Sequence, residues 1–402
     1  MKSDWKECTL AELGEIVGGA TPSTKDEQNY GGDIAWITPK DLSTLKGRFI
    51  SRGERNITEK GLRSCSAQIM PKNAVLFSSR APIGYVAIAA NPVCTNQGFK
   101  SIVANSDNDP MFLYYLLKYN KNAIEAMGSG TTFKEVSGST MRGIRVYVPI
   151  SKAEQQRIAA ILSALDEKIA INREINDNLQ QQLRTIFKAE FTDNPELENI
   201  TQIPLSELCH VVTKGTTPTT LGKPFVESGI NFIKAESILD DHSIDKSKFA
   251  FIDEETNALL KRSIIHAGDV VFTIAGTLGR FALIDENVLP ANTNQAVAII
   301  RADVEKVLPE YIYTCFIGEW HTDYYAKRVQ QAVQANLSLT TIKSLPIPLL
   351  DEAKMSEYLS LILPLIKAIK TNEAQDEKLA VLRDNLLPKL MSGEIDVSDI
   401  QL

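Results

Sequence analysis

Apolar positions along this chain follow two rhythms. The first is a set of short, unbroken runs such as Val86 to Ala90 and Ala296 to Ile300, which read as strands buried on both faces. Runs rich in Val, Ile and Phe predict strands over Ala74 to Phe77, Gly84 to Ala89 and Val270 to Ile274. Between them, Ala291-Asn292-Thr293-Asn294 reads as turn chemistry, and short helices are predicted over Met111 to Tyr119 and Pro309 to Phe316. The second rhythm is a 4-3-4 step. Ile158, Leu162, Leu165 and Ile169 follow it, and Leu179, Leu183 and Ile186 resume it after a polar gap at Asn172 and Asn176. This is heptad spacing and predicts one helix of about 40 residues, roughly 60 Å long. Ser151 and Glu154 stand at capping-box spacing at its start. A second long helix is predicted from Met355, Leu359, Ile362, Ile366 and Ile369, with a phase shift to Leu379, Leu382 and Leu386. Pro364 predicts a kink or a late start there, and Pro388 and Gly393 mark its end. Stripes this long call for a partner helix, which the other half of the chain supplies, with Asn172 and Asn176 in the seam fixing register. Packing on the helix's own globular unit, or against another subunit, stays open.

The two long helices divide a duplicated chain. Leu10-Ala11-Glu12-Leu13 matches Leu205-Ser206-Glu207-Leu208, and the turn Gly19-Ala20-Thr21-Pro22 matches Gly215-Thr216-Thr217-Pro218. Ile34-Ala35-Trp36-Ile37 matches Ile230-Asn231-Phe232-Ile233. Further on, Val75-Leu76-Phe77-Ser78 matches Val270-Val271-Phe272-Thr273, Gly84 matches Gly279, and Asn96-Gln97 matches Asn294-Gln295. Val148-Pro149 matches Ile347-Pro348. The order is kept while the offset drifts by a few residues, as loop insertions produce. The expected organisation is a mixed α/β unit over 1–150, a long helix over 151–194, a second unit over 195–350, and a long helix with a tail over 351–402.

Composition narrows the function classes. No run approaches the roughly 20 apolar residues that span a bilayer, and the N-terminus lacks a signal-peptide core, so a cytoplasmic protein with no membrane partner is expected. Five cysteines without a C-x-x-C pair argue for free thiols rather than zinc or disulfides. Net charge is −7, which argues only mildly against nucleic acid, because the field depends on where charges sit. Phosphate-loop, dinucleotide, H-E-x-x-H and G-x-S-x-G motifs are absent, and Asn91-Pro92-Val93-Cys94 fails the amino-methyltransferase pattern. All four histidines lie in the second half, so a job performed by both halves cannot depend on histidine. Glu12 and Glu207 match, in a position suited to capping. These absences favour a binding protein with no catalytic residue and no metal ligand. The alternatives are a nuclease or methyltransferase with an unrecognised active site, or a scaffolding module without DNA binding.

The Gly-Ala-Thr-Pro turn, Trp36-Ile37-Thr38-Pro39 and Asn96-Gln97-Gly98 make the chain resemble the DNA-specificity subunit of Type I restriction-modification systems. Glu154-Gln155-Gln156-Arg157-Ile158 and the ending Asn385-Leu386-Leu387-Pro388-Lys389-Leu390-Met391-Ser392-Gly393 are similar to its helix signatures. The second half departs modestly, with Ala296 where Gly98 stands and Phe232-Ile233-Lys234-Ala235 for the tryptophan motif. The resemblance implies an α+β fold: two tandem mixed α/β target-recognition domains joined by two long antiparallel helices in a coiled coil, with a pseudo-two-fold repeat. It implies that each domain reads one half of a bipartite site in double-stranded DNA. The helices would set the gap and dock two methyltransferase subunits, with restriction (motor and nuclease) subunits joining that core. S-adenosylmethionine, ATP and Mg²⁺ would belong to those partners, and this chain would hold no cofactor.

Duplication then sorts residues. What both halves share cannot explain two different readings, so Pro22/Pro218, Gly84/Gly279 and Asn96-Gln97/Asn294-Gln295 are expected to be scaffold, or at most phosphate contacts. Base reading is expected where a shared frame carries different side chains, as in Ser78 to Tyr85 against Thr273 to Arg280. Ser79 and Arg80, with Thr277 and Arg280, are the candidates there, arginine because its planar fork suits guanine O6 and N7. A solvated or phosphate-facing arginine is the plainer alternative. The loop bearing Ser129, Thr131 and Lys134 and the segment bearing Arg328 and Gln331 are further candidates. Ser23, Lys25 and Lys40, with Lys214, Thr219 and Lys234, are candidates for phosphate contact near the turns, each with an ordinary surface role as its alternative.

Overall fold

The computed structural model describes residues 4–130, 134–194, 200–322, 324–325 and 336–400. It divides into two compact units, Met1–Ala170 with Glu377–Leu402, and Ile171–Asp376. Both long helices are therefore shared out: 152–170 and 377–391 belong to the first unit, 171–191 and 352–376 to the second.

In the first unit a five-stranded sheet runs in the order Gly14–Gly18, Lys100–Ala104, Val75–Ser79, Ile83–Ala89, Phe49–Ile50. The strand Val75–Ser79 is buried at every position. Successive side chains of a strand point to opposite faces. Accordingly Val75 and Phe77 join the helix Pro110–Tyr119 and the long-helix residues Ile158, Leu162, Leu390 and Met391 in one core. Leu76, with Ala87 and Ala89 of the neighbouring strand, enters a second core with Ile37, Val93 and Phe99. A sheet covered on both faces explains why the sequence shows continuous apolar runs instead of alternation. Beside it, Trp36–Ile37 pairs in parallel with Cys94–Thr95, and Trp5–Thr9 pairs antiparallel with Arg145–Pro149.

The second unit repeats this plan. Its sheet runs Cys209–Lys214, Val297–Ala302, Val270–Thr273, Phe281–Leu283, matching the first four strands of the other sheet in order. Val270 and Phe272 face the helix Pro309–Ile317 and the long helices, while Val271 faces a second core with Ile233 and Ala291. The parallel pair recurs as Ile230–Ile233 with Ala291–Thr293, and the terminal pair as Gln202–Pro204 with Pro346–Pro348. Ala291–Thr293 is therefore a buried strand and not the turn its polar residues suggest. Its polar groups are bonded inward: Asn292 Nδ2 donates to Asn257 Oδ1 at 2.8 Å, and the Thr293 hydroxyl donates to the Ile233 carbonyl at 2.7 Å.

The long helices span Lys152–Phe191 and Glu352–Met391, 40 residues each. Pro364 neither delays nor ends the second helix, and the helix continues past Pro388. Both prolines are exposed, so the carbonyl that each leaves without its helical partner can be met by water. At the start of the first helix, the Glu154 carboxylate accepts the Trp5 indole N–H at 2.9 Å.

The question of what the apolar stripes cover has a double answer. In the second unit Leu183, Phe187 and Phe191 meet Tyr358, Ile362, Ile366 and Ile369 of the other helix within the core that also packs on the sheet. Partly buried Leu179, Ile186 and Leu359 pack against this core. The helices thus pair with each other and cover their own globular unit at once. In the first unit Ile158 and Leu162 are fully buried, Ile169 is 6% exposed, and Leu165, Leu379 and Leu386 are half-buried. Leu382, expected in the helix seam, is 46% exposed, and the terminal apolar burial falls instead on Leu390 and Met391. The phase of the stripe shifts because the last turns pack on the sheet side of the unit.

Polar residues fix how the helices meet. In the second unit Asn172 Nδ2 donates to Gln375 Oε1 at 2.8 Å and to Asp376 Oδ1 at 2.7 Å. Asn176 Oδ1 accepts from Asn372 Nδ2 at 2.8 Å, and Asn176 Nδ2 donates to the Ile369 carbonyl at 3.3 Å. Rising numbers on one helix meet falling numbers on the other, so the segments run antiparallel. In the first unit Asp166 accepts from Arg383 at 2.7 Å and from the Tyr115 hydroxyl at 2.6 Å. Burial opposes the Asp166 charge most, but these two hydrogen bonds and the guanidinium charge outweigh it and hold the carboxyl below its usual range.

Two predictions follow from this packing. Asp166→Ala leaves the Tyr115 hydroxyl without its acceptor and Arg383 with only the exposed Asp384, and should destabilise the first unit by about 1–3 kcal/mol, measured by chemical denaturation. Because the folded pKa is depressed, the Asp166 contribution is present above the ordinary carboxylate pKa and is lost as pH falls below about 4. As pH falls, the second unit should begin to weaken earlier, at a higher pH than the first. His242 and His321 are pushed down to about 4, burial being the largest cause for both. Protonation then favours the unfolded chain from the ordinary histidine pKa of about 6.5 downward. Calorimetry from pH 7 to 4.5 should show the second unit losing stability while the histidine-free first unit changes little.

Candidate nucleic-acid interface

In each unit the same three loop segments meet at one end of the sheet. The first is the Gly-x-Thr-Pro turn that follows the strand Gly14–Gly18 or Cys209–Lys214. A Cβ on Gly19 would overlap the carbonyl oxygens of Thr95 and Asn96, and a Cβ on Gly215 would overlap those of Thr293 and Asn294. Glycine is shared because the turn must press against the next strand. Pro22 and Pro218 are both buried.

The second segment is the connection after Val75–Ser79 or Val270–Thr273. One hydroxyl staples it identically in both units. Ser78 Oγ donates to the Pro82 carbonyl and accepts from the Tyr85 N–H, each at 2.8 Å. The Thr273 hydroxyl donates to the Thr277 carbonyl and accepts from the Arg280 N–H, the latter at 2.8 Å. The loop length is thereby fixed while its tip varies. Gly84 and Gly279 hold φ of +98° and +86°, the left-handed region in which glycine carries no Cβ penalty.

The third segment leads into a short helix capped by Ser137 or Ser338. Val136 N–H donates to the Ser79 carbonyl at 3.0 Å, and Leu337 N–H donates to the Ile274 carbonyl at 2.9 Å. The Asn-Gln pair lies against the same point. Ser79 N–H donates to the Gly98 carbonyl at 2.7 Å, and Ile274 N–H to the Ala296 carbonyl at 2.8 Å.

The sequence candidates distribute unevenly over this frame. Ser79 is fully buried and offers only backbone groups to its neighbours, so it is not presented to DNA. Arg80 Nη1 lies 3.4 Å from Glu135, which Lys100 also reaches at 3.3 Å. Arg280 is held by Asp240 through two hydrogen bonds of 2.6 and 2.7 Å, with a third to the Ile238 carbonyl at 3.2 Å. Its fork is already committed in the free protein. Ser23, Lys25, Ser129, Lys134, Thr219 and Thr277 are exposed, and Lys214 is half-buried. Lys40 pairs with Glu54 at 2.6 Å, and Lys234 with Glu236 at 3.1 Å. Thr131, Arg328 and Gln331 lie outside the described residues.

Asn96 and Asn294 act as local caps, each Oδ1 accepting the backbone N–H two residues on, at 2.9 and 3.1 Å. Gln97 Oε1 accepts the Thr21 hydroxyl, and Gln295 Oε1 accepts both the hydroxyl and the backbone N–H of Thr217. Glu12 is a cap as well: it accepts the Thr9 N–H at 2.6 Å, and this bond leads the causes that lower its pKa. Sequence reasoning missed Arg55, whose guanidinium stands 3.6 Å from the centre of the Tyr30 ring. The Tyr30 hydroxyl donates to the Pro22 carbonyl at 2.7 Å, so Arg55 is tied to the turn through an aromatic platform. Nothing in the spacing of an isolated arginine signals this. Among the described residues no cluster of His, Cys, Asp and Glu could hold a metal ion, and no helix is long and apolar enough to cross a membrane.

A twice-built loop frame with divergent tips defines a tandem recognition protein. The model of the Type I restriction modification DNA specificity domain matches residues 2–181 and again 198–378, so the chain belongs to that family. A specificity subunit of the Type I restriction enzyme MjaIX from Methanocaldococcus jannaschii is 33% identical over 420 residues, covering 99% of this chain and 95% of that protein. That of EcoR124I/EcoR124II from Escherichia coli is 28% identical over 40% of this chain and 41% of its own length. Among solved structures, the S subunit of a Type I system from M. genitalium shares the fold, with a TM-score of 0.56, 18% identity and 96% coverage of both chains.

The close approach at the turns predicts that Gly19→Ala and Gly215→Ala each destabilise their own unit by about 1–3 kcal/mol. Urea unfolding of each variant would measure it, and an unchanged midpoint would overturn the close-approach account.

Proposed function

We propose that this chain is the specificity subunit of a Type I restriction-modification enzyme, with each globular unit reading one half of a bipartite site in double-stranded DNA. The observation that carries this reading is the repeated frame: the same glycine contact, the same hydroxyl staple and the same Asn-Gln pair surround tips that differ between units. A shared frame with different tips is what two readings of two sequences require. The relatives are named as specificity subunits. In this reading the chain selects the site and does no chemistry, and methylation and cleavage belong to partner subunits. Two methyltransferase subunits would dock along the long helices, restriction subunits would join them, and S-adenosylmethionine, ATP and Mg²⁺ would be bound there. The helices would also set the gap between half-sites.

Arg80→Ala should weaken recognition of one half-site alone, by about tenfold or more. Arg280→Ala should affect the other half alone, through loosening of the loop that Asp240 holds. Binding to duplexes altered in one half at a time would measure both effects, and equal loss at both halves would sink the assignment. Binding of wild-type chain to DNA should fall steeply with salt. A flat salt response would favour a scaffolding role, and methylation or cleavage by the purified chain alone would favour an enzyme.

A further inference from the structure

We propose that Asn96-Gln97 in the first unit and Asn294-Gln295 in the second are matched phosphate-gripping pairs, which donate to non-bridging oxygens of the DNA backbone beside each variable loop. The proposal rests on the DNA-binding reading above and adds a ligand group and four residues to it. A carboxamide offers one oxygen acceptor and two N–H donors. In these pairs the oxygens are used internally. Asn96 Oδ1 and Asn294 Oδ1 take backbone N–H groups, at 2.9 and 3.1 Å. Gln97 Oε1 takes the Thr21 hydroxyl. Gln295 Oε1 takes the Thr217 hydroxyl and, at 3.2 Å, its backbone N–H. That N–H can only donate, which fixes which end of the Gln295 amide is the oxygen.

The donor ends are left over, and both glutamines are exposed. A surface whose amide oxygens are engaged and whose N–H groups are left over complements a ligand that only accepts. Phosphate oxygens are such a ligand. Reading adenine is a poorer fit, because the bidentate contact to N6 and N7 needs the amide oxygen as well as the nitrogen. The Gln295 oxygen already accepts twice. Recurrence points the same way: the pair is built on the same plan beside tips that differ, as expected of a contact that positions DNA without reading it. Its place is also fixed relative to those tips, since Gly98 and Ala296 bond directly to the loop bases at Ser79 and Ile274.

Gln97→Glu and Gln295→Glu test this in the full-length chain. Glutamate keeps an oxygen for the threonine hydroxyl and replaces the NH₂ with a negative oxygen. Each variant should bind its duplex about tenfold more weakly, and the double variant about a hundredfold. The loss should be equal on specific and unrelated duplexes, with the melting midpoint unchanged. Wild-type affinity retained in the double variant would show the pairs to be scaffold only and overturn the proposal. Loss confined to one base sequence would overturn it in favour of base reading. Should the variants melt early, methylphosphonate interference on the wild-type chain decides: it should reveal one sensitive phosphate at an equivalent position in each half-site, and its absence would overturn the proposal. Failure of the wild-type chain to bind duplex DNA at all would instead remove the underlying function.

Discussion

The structure depends on a sheet that must be buried on both faces. Val75, Leu76 and Phe77 are each fully buried yet belong to two different cores, and Val270, Val271 and Phe272 repeat this arrangement. One face is closed locally, by the parallel strand pair and the loops around it. The other face needs more apolar surface than the single helix Pro110–Tyr119 or Pro309–Ile317 can supply. The long helices provide it: Ile158 and Leu162 in one unit, Leu183, Phe187 and Ile362 in the other. Each buried Leu or Ile of this kind contributes on the order of 2–5 kcal/mol when compared with alanine. The long helices are therefore part of both cores as well as partners of each other.

This dual burden explains what was legible in the sequence. The heptad stripe of the first helix could be read because most of its apolar residues face inward whichever surface they meet. The second stripe could be read only in part. Tyr358 and Met391 are buried while Leu382 is exposed, since the helix changes the surface it packs on along its length and a single repeat cannot follow that change. The strands Val75–Ser79 and Val270–Thr273 were legible as apolar runs. Ala291–Thr293 was not, because its asparagine and threonine look like turn residues until their tertiary partners are known. Prolines misled for a related reason: at exposed positions in a helix secured by its opposite face, a missing hydrogen bond is tolerated.

The candidate site was legible as a frame and less so as a surface. Comparing the halves located the glycines and the Asn-Gln pairs, since each recurs with its spacing, while the hydroxyl staple showed only as the matched positions Ser78 and Thr273. Difference between halves says nothing about exposure, so Ser79 and Arg80 looked equivalent although one is fully buried. Contacts between distant segments left no signal either. The stacking of Arg55 on Tyr30 and the bridging of Arg280 to Asp240 join residues about 25 and 40 positions apart with no motif between them.

The acidic partners at this surface have a physical use consistent with the net charge of −7. Asp240 is 82% exposed and Glu135 37%, so their pairs with Arg280 and Arg80 are solvent-facing. Such pairs are worth about 0–1 kcal/mol. If Arg80 and Arg280 contact DNA as proposed, these pairs would order the side chains beforehand and be given up at little cost when a DNA acceptor replaces the carboxylate. In the same reading they would place negative charge beside the backbone of an approaching duplex and weaken binding to every sequence alike. A site that offers compensating contacts at the loop tips restores the loss, and a site that does not remains penalised. In that reading the frame would supply position, the carboxylates would lower the background, and discrimination would fall to the few side chains in which the two units differ.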